Sequence, residues 1–77
     1  MTERQIALLE SLRKVLEEEH LDGVCMTYGA IKSHQLIVRF SCISTDKVKE
    51  KVKAIAARYE ESMTLASEGK TVLKYYF

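Results

Sequence analysis

The sequence lacks most of the features from which a protein's class can be recognised. It has no proline, no tryptophan and only three glycines in 77 residues, and no linker or low-complexity stretch interrupts it. No hydrophobic run approaches the roughly 20 residues of a membrane-spanning helix, so we expect no membrane partner. Twelve Lys and Arg against eleven Asp and Glu leave a net charge of +1, so the total charge indicates no partner.

Motifs of catalysis and of cofactor binding are also missing. Gly23, Gly29 and Gly69 are scattered, which excludes a glycine-rich phosphate loop, and no nucleophile elbow, zinc-protease motif or paired-acid pattern occurs. The two cysteines do not form the closely spaced pairs that structural zinc sites use. We therefore predict a protein that is not an enzyme and that holds no metal and no cofactor.

The cysteines, Cys25 and Cys42, both lie in segments with strand-like composition. The polar start of the chain, Thr2-Glu3-Arg4-Gln5, has no basic and then apolar region of a secretory signal. We therefore expect a cytoplasmic protein whose thiols stay reduced. The predicted role of both thiols is to pack in the core as small hydrophobic side chains.

The size and the hydrophobic content of the chain limit the architectures that it can form. A hydrophobic share of 47% is too high for a disordered chain. Seventy-seven residues make one domain, spanning residues 1–77. So short a chain has a thin core, with no room for a barrel, a doubly wound fold or a deep substrate pocket.

Two helices are predicted from their caps and their apolar spacing. Thr2 and Gln5 form a capping-box pattern, and we expect this first helix to end near residues 18–20, with Gly23 at its exit. Thr45 caps the second helix, which Glu60 or Glu61 should end. The apolar stripes are Leu8, Leu12, Val15 and Leu16 in the first helix and Val48, Val52, Ile55 and Tyr59 in the second.

Four strands are predicted from β-branched and aromatic residues, over residues 24–31, 36–43, 62–67 and 70–77. Residues 32–35 make the first hairpin turn, and Glu68-Gly69 makes the second, where the glycine would supply a positive φ. The order αββαββ favours an α+β two-layer sandwich, with a four-stranded antiparallel sheet and both helices on one face. A right-handed crossover gives the strand order third–fourth–second–first, a circular permutation of the ferredoxin-like layout.

The two halves of the chain also resemble each other. A shift of 37 positions places Met26 on Met63 and Leu36 on Leu73. Half-repeats over residues 2–43 and 45–77 would explain these matches, and so would chance.

The faces of the strands follow from the cost of burying charge. Arg39 must face away from the helices, so Leu36, Val38, Phe40 and Cys42 face them, as do Leu73, Tyr75 and Phe77. Even-length hairpin loops then pair Cys25 with Cys42 and Thr64 with Leu73. This register predicts that Cys25, Thr27, Thr64 and Ala66 line the helix side.

The opposite, open sheet face would then be largely apolar, which is typical of an interaction surface. Its predicted partner-binding residues are Met26, Tyr28, Ile37, Arg39, Val72, Lys74 and Tyr76. Odd-length loops would instead turn Met26 and Tyr28 into the core. The surface would then shrink to Ile37, Arg39, Val72, Lys74 and Tyr76.

Charge is uneven along the chain although its total is balanced. Residues 16–22 carry −4 and residues 47–58 carry +4. Lys47, Lys51 and Arg58 flank one side of the apolar stripe of the second helix. They form either a patch for phosphate or an acidic partner or, as we favour, a solvated helix face.

Two functions follow from these features. The first is a small interaction module that acts by protein–protein association as an adaptor, an inhibitor or a regulatory oligomer, with a homodimer as the simplest case. The second is a single-stranded nucleic-acid-binding module, in which tyrosines of the open face stack on bases while Arg39 and Lys74 contact phosphates.

Overall fold

The computed structural model describes residues 2–21, 23–32, 34–59 and 61–77. The elements in chain order are α1 (Glu3–Glu18), β1 (Cys25–Lys32), β2 (Gln35–Ser41), α2 (Asp46–Ala57), β3 (Thr64–Glu68) and β4 (Leu73–Tyr76). The strands form one antiparallel sheet in the order β1-β2-β4-β3. The predicted α+β architecture, with two helices and four antiparallel strands, is confirmed.

Helix α1 begins with the predicted capping box. The Thr2 hydroxyl accepts a hydrogen bond from the Gln5 amide at 3.1 Å, and the Gln5 side-chain oxygen accepts one from the Thr2 amide at 2.9 Å. Both bonds satisfy backbone donors that the first helical turn leaves without a partner.

The end of α1 falls at the predicted position but uses a different residue. His20 adopts a left-handed conformation with φ of 58° and donates its amide to the Glu17 carbonyl, while Leu21 donates to the Leu16 carbonyl at 2.8 Å. This is a Schellman motif, in which the burial of Leu21 adds an apolar contact. The exit is therefore made by His20, and the prediction that Gly23 marks it is wrong.

Helix α2 begins where the sequence predicts, because the Thr45 hydroxyl accepts a hydrogen bond from the Val48 amide at 3.2 Å. It ends at Ala57, earlier than the predicted Glu60 or Glu61. Glu60 lies outside the described residues. Arg58 and Tyr59 continue as a turn that leads into β3.

The core lies between the two helices and one face of the sheet. Phe40 and Tyr75 pack edge to face at its centre, with ring centroids 5.9 Å apart and an interplanar angle of 77°. Burial raises the pKa of the Tyr75 hydroxyl. The other buried apolar residues are Leu9, Leu12, Leu16, Leu21, Val24, Leu36, Val38, Ile43, Val52, Ile55, Ala56, Met63 and Leu73.

The register of the first hairpin differs from the prediction by one residue. Lys32 pairs with Gln35, as a two-residue loop requires, but the register shifts between Ala30 and Lys32. A shift by one residue turns every following side chain to the other face of the sheet. Cys25 therefore lies opposite Ser41 and not Cys42, and its predicted place on the helix side is wrong, as is that of Thr27 opposite Arg39.

The second hairpin also departs from its predicted register. Glu68 pairs with Leu73, and the Gly69 amide donates to the Val72 carbonyl at 2.7 Å, so the turn is longer than Glu68-Gly69. Gly69 does not have a positive φ, so the role predicted for it is wrong. A second shift, between Leu65 and Ser67, places Thr64 opposite Tyr76 instead of Leu73 and away from the helices.

The last difference from the predicted structure is at the end of β2. Cys42 adopts a left-handed conformation with φ of 62°, which interrupts the alternation of the strand. Its side chain is exposed, whereas the next residue, Ile43, is buried. The sequence predicted that Cys42 faces the helices, and the same strict alternation would place Ile43 on the open face.

Candidate functional site

The open sheet face is centred on four side chains of β2 and β4. Ile37 lies opposite Tyr76, and Arg39 lies opposite Lys74, between the buried pairs of these strands. Tyr76 is 39% exposed and Arg39 is exposed, while Ile37 and Lys74 are half-buried. These four predicted residues therefore come together on one face.

The other three predicted residues lie elsewhere. Met26 is opposite Phe40 and packs half-buried against the core, and Tyr28 is opposite Val38 at the edge of the helix side. The prediction that Met26 and Tyr28 lie on the open face is therefore wrong, because the register of the first hairpin is shifted by one residue. Val72 lies half-buried in the turn before β4.

The open face is consequently small in apolar area and otherwise polar. The polar residues of this face lie opposite its other residues or belong to its strands, and they are Thr27, Ser41, Thr64 and Ser67. This arrangement matches the reduced surface that odd-length loops predict except at Val72, and local shifts in register produce it.

Arg39 and Lys74 are a like-charged cross-strand pair, which opposes pairing of the strands. In the ranges that the structure describes, neither side chain has a carboxylate at ion-pair distance. With the Tyr76 ring on the same strand as Lys74, the pair can attract an anion and offer an aromatic surface beside it.

Two of the four lysines of α2, and Arg58 just after it, form ion pairs within the protein. Glu68 accepts from Lys53 at 3.1 Å and lies 3.8 Å from Lys49, and Arg58 lies 3.6 Å from Glu19. The hydrogen bond and charge of Lys53 lower the pKa of Glu68, and Glu68 raises the pKa of Lys53. The stabilisation from Glu68 is thus present above the pKa of an unfolded carboxyl and is lost as pH falls through the lowered value.

These ion pairs affect one residue of the patch predicted at Lys47, Lys51 and Arg58. Lys47 and Lys51 are exposed on α2, whereas Arg58 shares its charge with the acidic segment after α1. Two lysines in solvent remain, which is the solvated helix face that we favour.

A hollow that the sequence did not reveal lies along the edge of the sheet, lined by both apolar and charged residues. Tyr28, 47% exposed, and Ile6, 41% exposed, line a hollow of about 160 Å³ with Leu9, Glu10 and Arg13. Ile31, where the register shifts, is also exposed on the same strand. The sequence feature that could have indicated this hollow is Ile6, an apolar residue outside the predicted apolar stripe of α1.

A larger cleft, of about 500 Å³, lies where the start of α1 meets the first hairpin and the end of the chain. The buried Gln5 side chain donates to the His34 carbonyl at 3.2 Å, and Arg4 donates to the Ser62 hydroxyl at 3.0 Å. Its lining comes from distant segments, so no local pattern could have predicted it.

The two cysteines form a pair at the start of β1 and the end of β2. Their Sγ atoms are 3.3 Å apart, at hydrogen-bond distance, and both residues are exposed. The hydrogen bond with Cys42, together with its charge, raises the pKa of the Cys25 thiol. The prediction that both thiols are buried in the core is wrong, because the left-handed turn at Cys42 and the shifted register of β1 bring both to the surface.

Comparison with known proteins adds no family to this description. Among the described residues, no group of three His, Cys, Asp or Glu side chains could hold a metal ion. Neither helix in that part of the chain has the length and the apolar character that crossing a membrane requires. No family model, no curated protein and no solved structure matches this chain.

Proposed function

We propose that this protein is a small, non-enzymatic, cytoplasmic interaction module that works by protein–protein association, with a second copy of itself as the partner. The observation that carries the proposal is the edge of β1, which has the exposed side chains of Ile6, Tyr28 and Ile31 beside it and no strand on its outer side in the described sheet. We place the contact there because the open face offers too little apolar area.

The composition of β1 supports placing the contact at this edge of the sheet rather than at the opposite edge. Eight residues run from Cys25 to Lys32, and Lys32 is the only charged residue among them. Edge strands that avoid association are usually short or carry charges. The other edge, β3, has five residues and ends at Glu68, which two lysines of α2 engage.

A second copy is the partner that fits this edge best. Two β1 strands can pair antiparallel about a two-fold axis, so that the same surface meets itself. This arrangement keeps the two Lys32 side chains at opposite ends of the paired strands and brings Ile6 and Tyr28 of both copies to one side. The paired sheet would contain eight strands, and such an oligomer could serve as an adaptor, an inhibitor or a regulator.

Sedimentation equilibrium over a concentration series tests this proposal. We expect the wild type to be a dimer and the double variant Ile6→Lys/Tyr28→Lys to be monomeric, because four lysines would then meet across the contact. Leu65→Lys is the matched control, since Leu65 is 42% exposed on the helix side of the other edge strand. A monomeric wild type, or loss of the dimer in Leu65→Lys alone, would contradict the proposal.

A second function, single-stranded nucleic-acid binding, is favoured by the Arg39–Lys74 pair. Two adjacent cations without a described acidic partner suit two successive phosphates, and Tyr76 can stack on a base, a contact worth about 1–3 kcal/mol. The net charge of +1 is low for such a protein, which is why we place this function second.

Fluorescence anisotropy with a labelled single-stranded oligonucleotide, at several salt concentrations, tests the second function. Arg39→Ala/Lys74→Ala should weaken binding and reduce the slope of log affinity against log salt by about 1.4, the value for two phosphate contacts on a single strand. Lys47→Ala/Lys51→Ala removes the same charge from α2 and should leave the slope unchanged. Binding that does not respond to salt contradicts nucleic-acid recognition, and an equal loss in the control would move the site to α2.

We propose further that the fold is a circularly permuted ferredoxin-like layout derived from a duplicated αββ unit. The order β1-β2-β4-β3, together with the same helix–hairpin sequence in each half, supports this relationship.

A further inference from the structure

We propose that Cys25 and Cys42 form a modification site, at which the two thiols close into an intramolecular disulfide by exchange with a low-molecular-weight disulfide. The inference does not rest on the proposed function, because its evidence is the contact between Cys25 and Cys42 within one chain, although Cys25 is also the first residue of β1.

The positions of the sulfur atoms are the first support. The Sγ atoms are 3.3 Å apart, and a disulfide bond of about 2.05 Å requires them to approach by only about 1.3 Å. Both residues are exposed, so a small disulfide can reach either of them. Cys25 begins β1 and lies opposite Ser41, the residue before Cys42, so the sheet itself holds the two residues together.

The backbone of Cys42 is the second support. A left-handed conformation, here with φ of 62°, is uncommon for a residue other than glycine, asparagine or aspartate. The side chain of Cys42 would face the helices if β2 continued in regular alternation, as Phe40 does. The left-handed turn instead brings its sulfur to that of Cys25, and strained backbone of this kind is concentrated at functional sites.

The exchange proceeds in two balanced steps. The Cys42 thiolate attacks one sulfur of the small disulfide, whose S–S bond breaks, and the released thiolate takes up a proton. The hydrogen bond and charge of Cys42 raise the pKa of the Cys25 thiol, and this effect ends once the Cys42 sulfur is in the mixed disulfide. The Cys25 thiol then loses its proton and attacks Cys42 Sγ, which expels the second small thiol. In total, two protein thiols are oxidised and one small disulfide is reduced to two thiols.

Closure of this bond would join the two ends of the first hairpin. The bond would connect the first residue of β1 to the residue after β2 and so restrict the unfolded chain over residues 25–42. A loop of this size is expected to raise the melting temperature by about 10–25 °C.

The experiment treats the full chain with oxidised glutathione, blocks the remaining thiols with N-ethylmaleimide and measures the intact mass. We expect a product that has lost two hydrogens and carries neither glutathione nor N-ethylmaleimide. Trypsin cleaves after Lys32 and Arg39, which separates the cysteines, so a non-reducing digest should contain one cross-linked pair of peptides. The melting temperature of this product should exceed that of the reduced chain.

The single variants Cys25→Ser and Cys42→Ser are the controls, because serine is nearly isosteric at these exposed positions. Each should retain one glutathione and show no rise in melting temperature. The inference is overturned if the wild type carries two glutathiones, if its disulfide joins two chains, or if both thiols remain open to N-ethylmaleimide. These measurements report on the wild type directly and do not depend on the folding of a variant.

Discussion

Replacing Phe40 by alanine is expected to lower the free energy of unfolding by about 3–5 kcal/mol. Phe40 is 1% exposed, lies on the central strand β2 and packs edge to face against Tyr75, so the variant leaves a cavity and removes an aromatic contact. A domain of 77 residues has a total stability of only about 4–12 kcal/mol. The variant should therefore lose a large fraction of the total stability.

Urea unfolding followed by circular dichroism measures this effect. Tyr76→Ala is the matched control, because Tyr76 is an aromatic residue of β4 that faces away from the core and is 39% exposed. We expect its cost to be about 1 kcal/mol or less. Equal losses in the two variants would contradict the placement of the core on the Phe40 side of the sheet.

The second large effect is expected at Ile43, where the sequence and the structure disagree. Ile43→Ala should cost about 2–4 kcal/mol, because the side chain is 2% exposed and belongs to the core. Strict alternation along the second strand would instead place Ile43 on the open face with Ile37, and the substitution would then cost little.

Ile37→Ala provides the comparison within the same protein. Ile37 is half-buried on the open face opposite Tyr76, and we expect a loss of about 1 kcal/mol or less. The same urea titration measures both variants. A loss at Ile37 that equals or exceeds the loss at Ile43 would contradict the left-handed turn at Cys42.

The two edge strands show why the candidate sites could be predicted only in part. The central pair of strands was placed correctly, because Arg39 excludes one of the two ways in which β2 can face the helices. Strand β1 offers no such constraint, since its first seven residues are uncharged and either face is tolerable. A single shift between Ala30 and Lys32 then decided where Met26 and Tyr28 lie.

Shifts of this kind leave no strong signal in the sequence. A bulge adds one residue to one strand and is compatible with many residue types. The composition of residues 25–32 therefore gives almost no indication of where the register shifts. The same holds for the shift between Leu65 and Ser67 in β3. The left-handed conformations of His20 and Cys42 were not predicted either, because histidine adopts this conformation only in a minority of cases and cysteine rarely does.

The sequence by itself determined the features that depend on near neighbours. These are the two helices with their Thr2 and Thr45 caps, the four strands and the inward faces of β2 and β4, since periodicity and capping act over a few residues. Only the tertiary structure decided that Ile6 lies beside Tyr28 and that Gln5 meets His34, and it decided the register that sets the neighbours of Cys25 and Met26. The physical reason is that hairpin register, which one residue can change, sets every contact across the sheet.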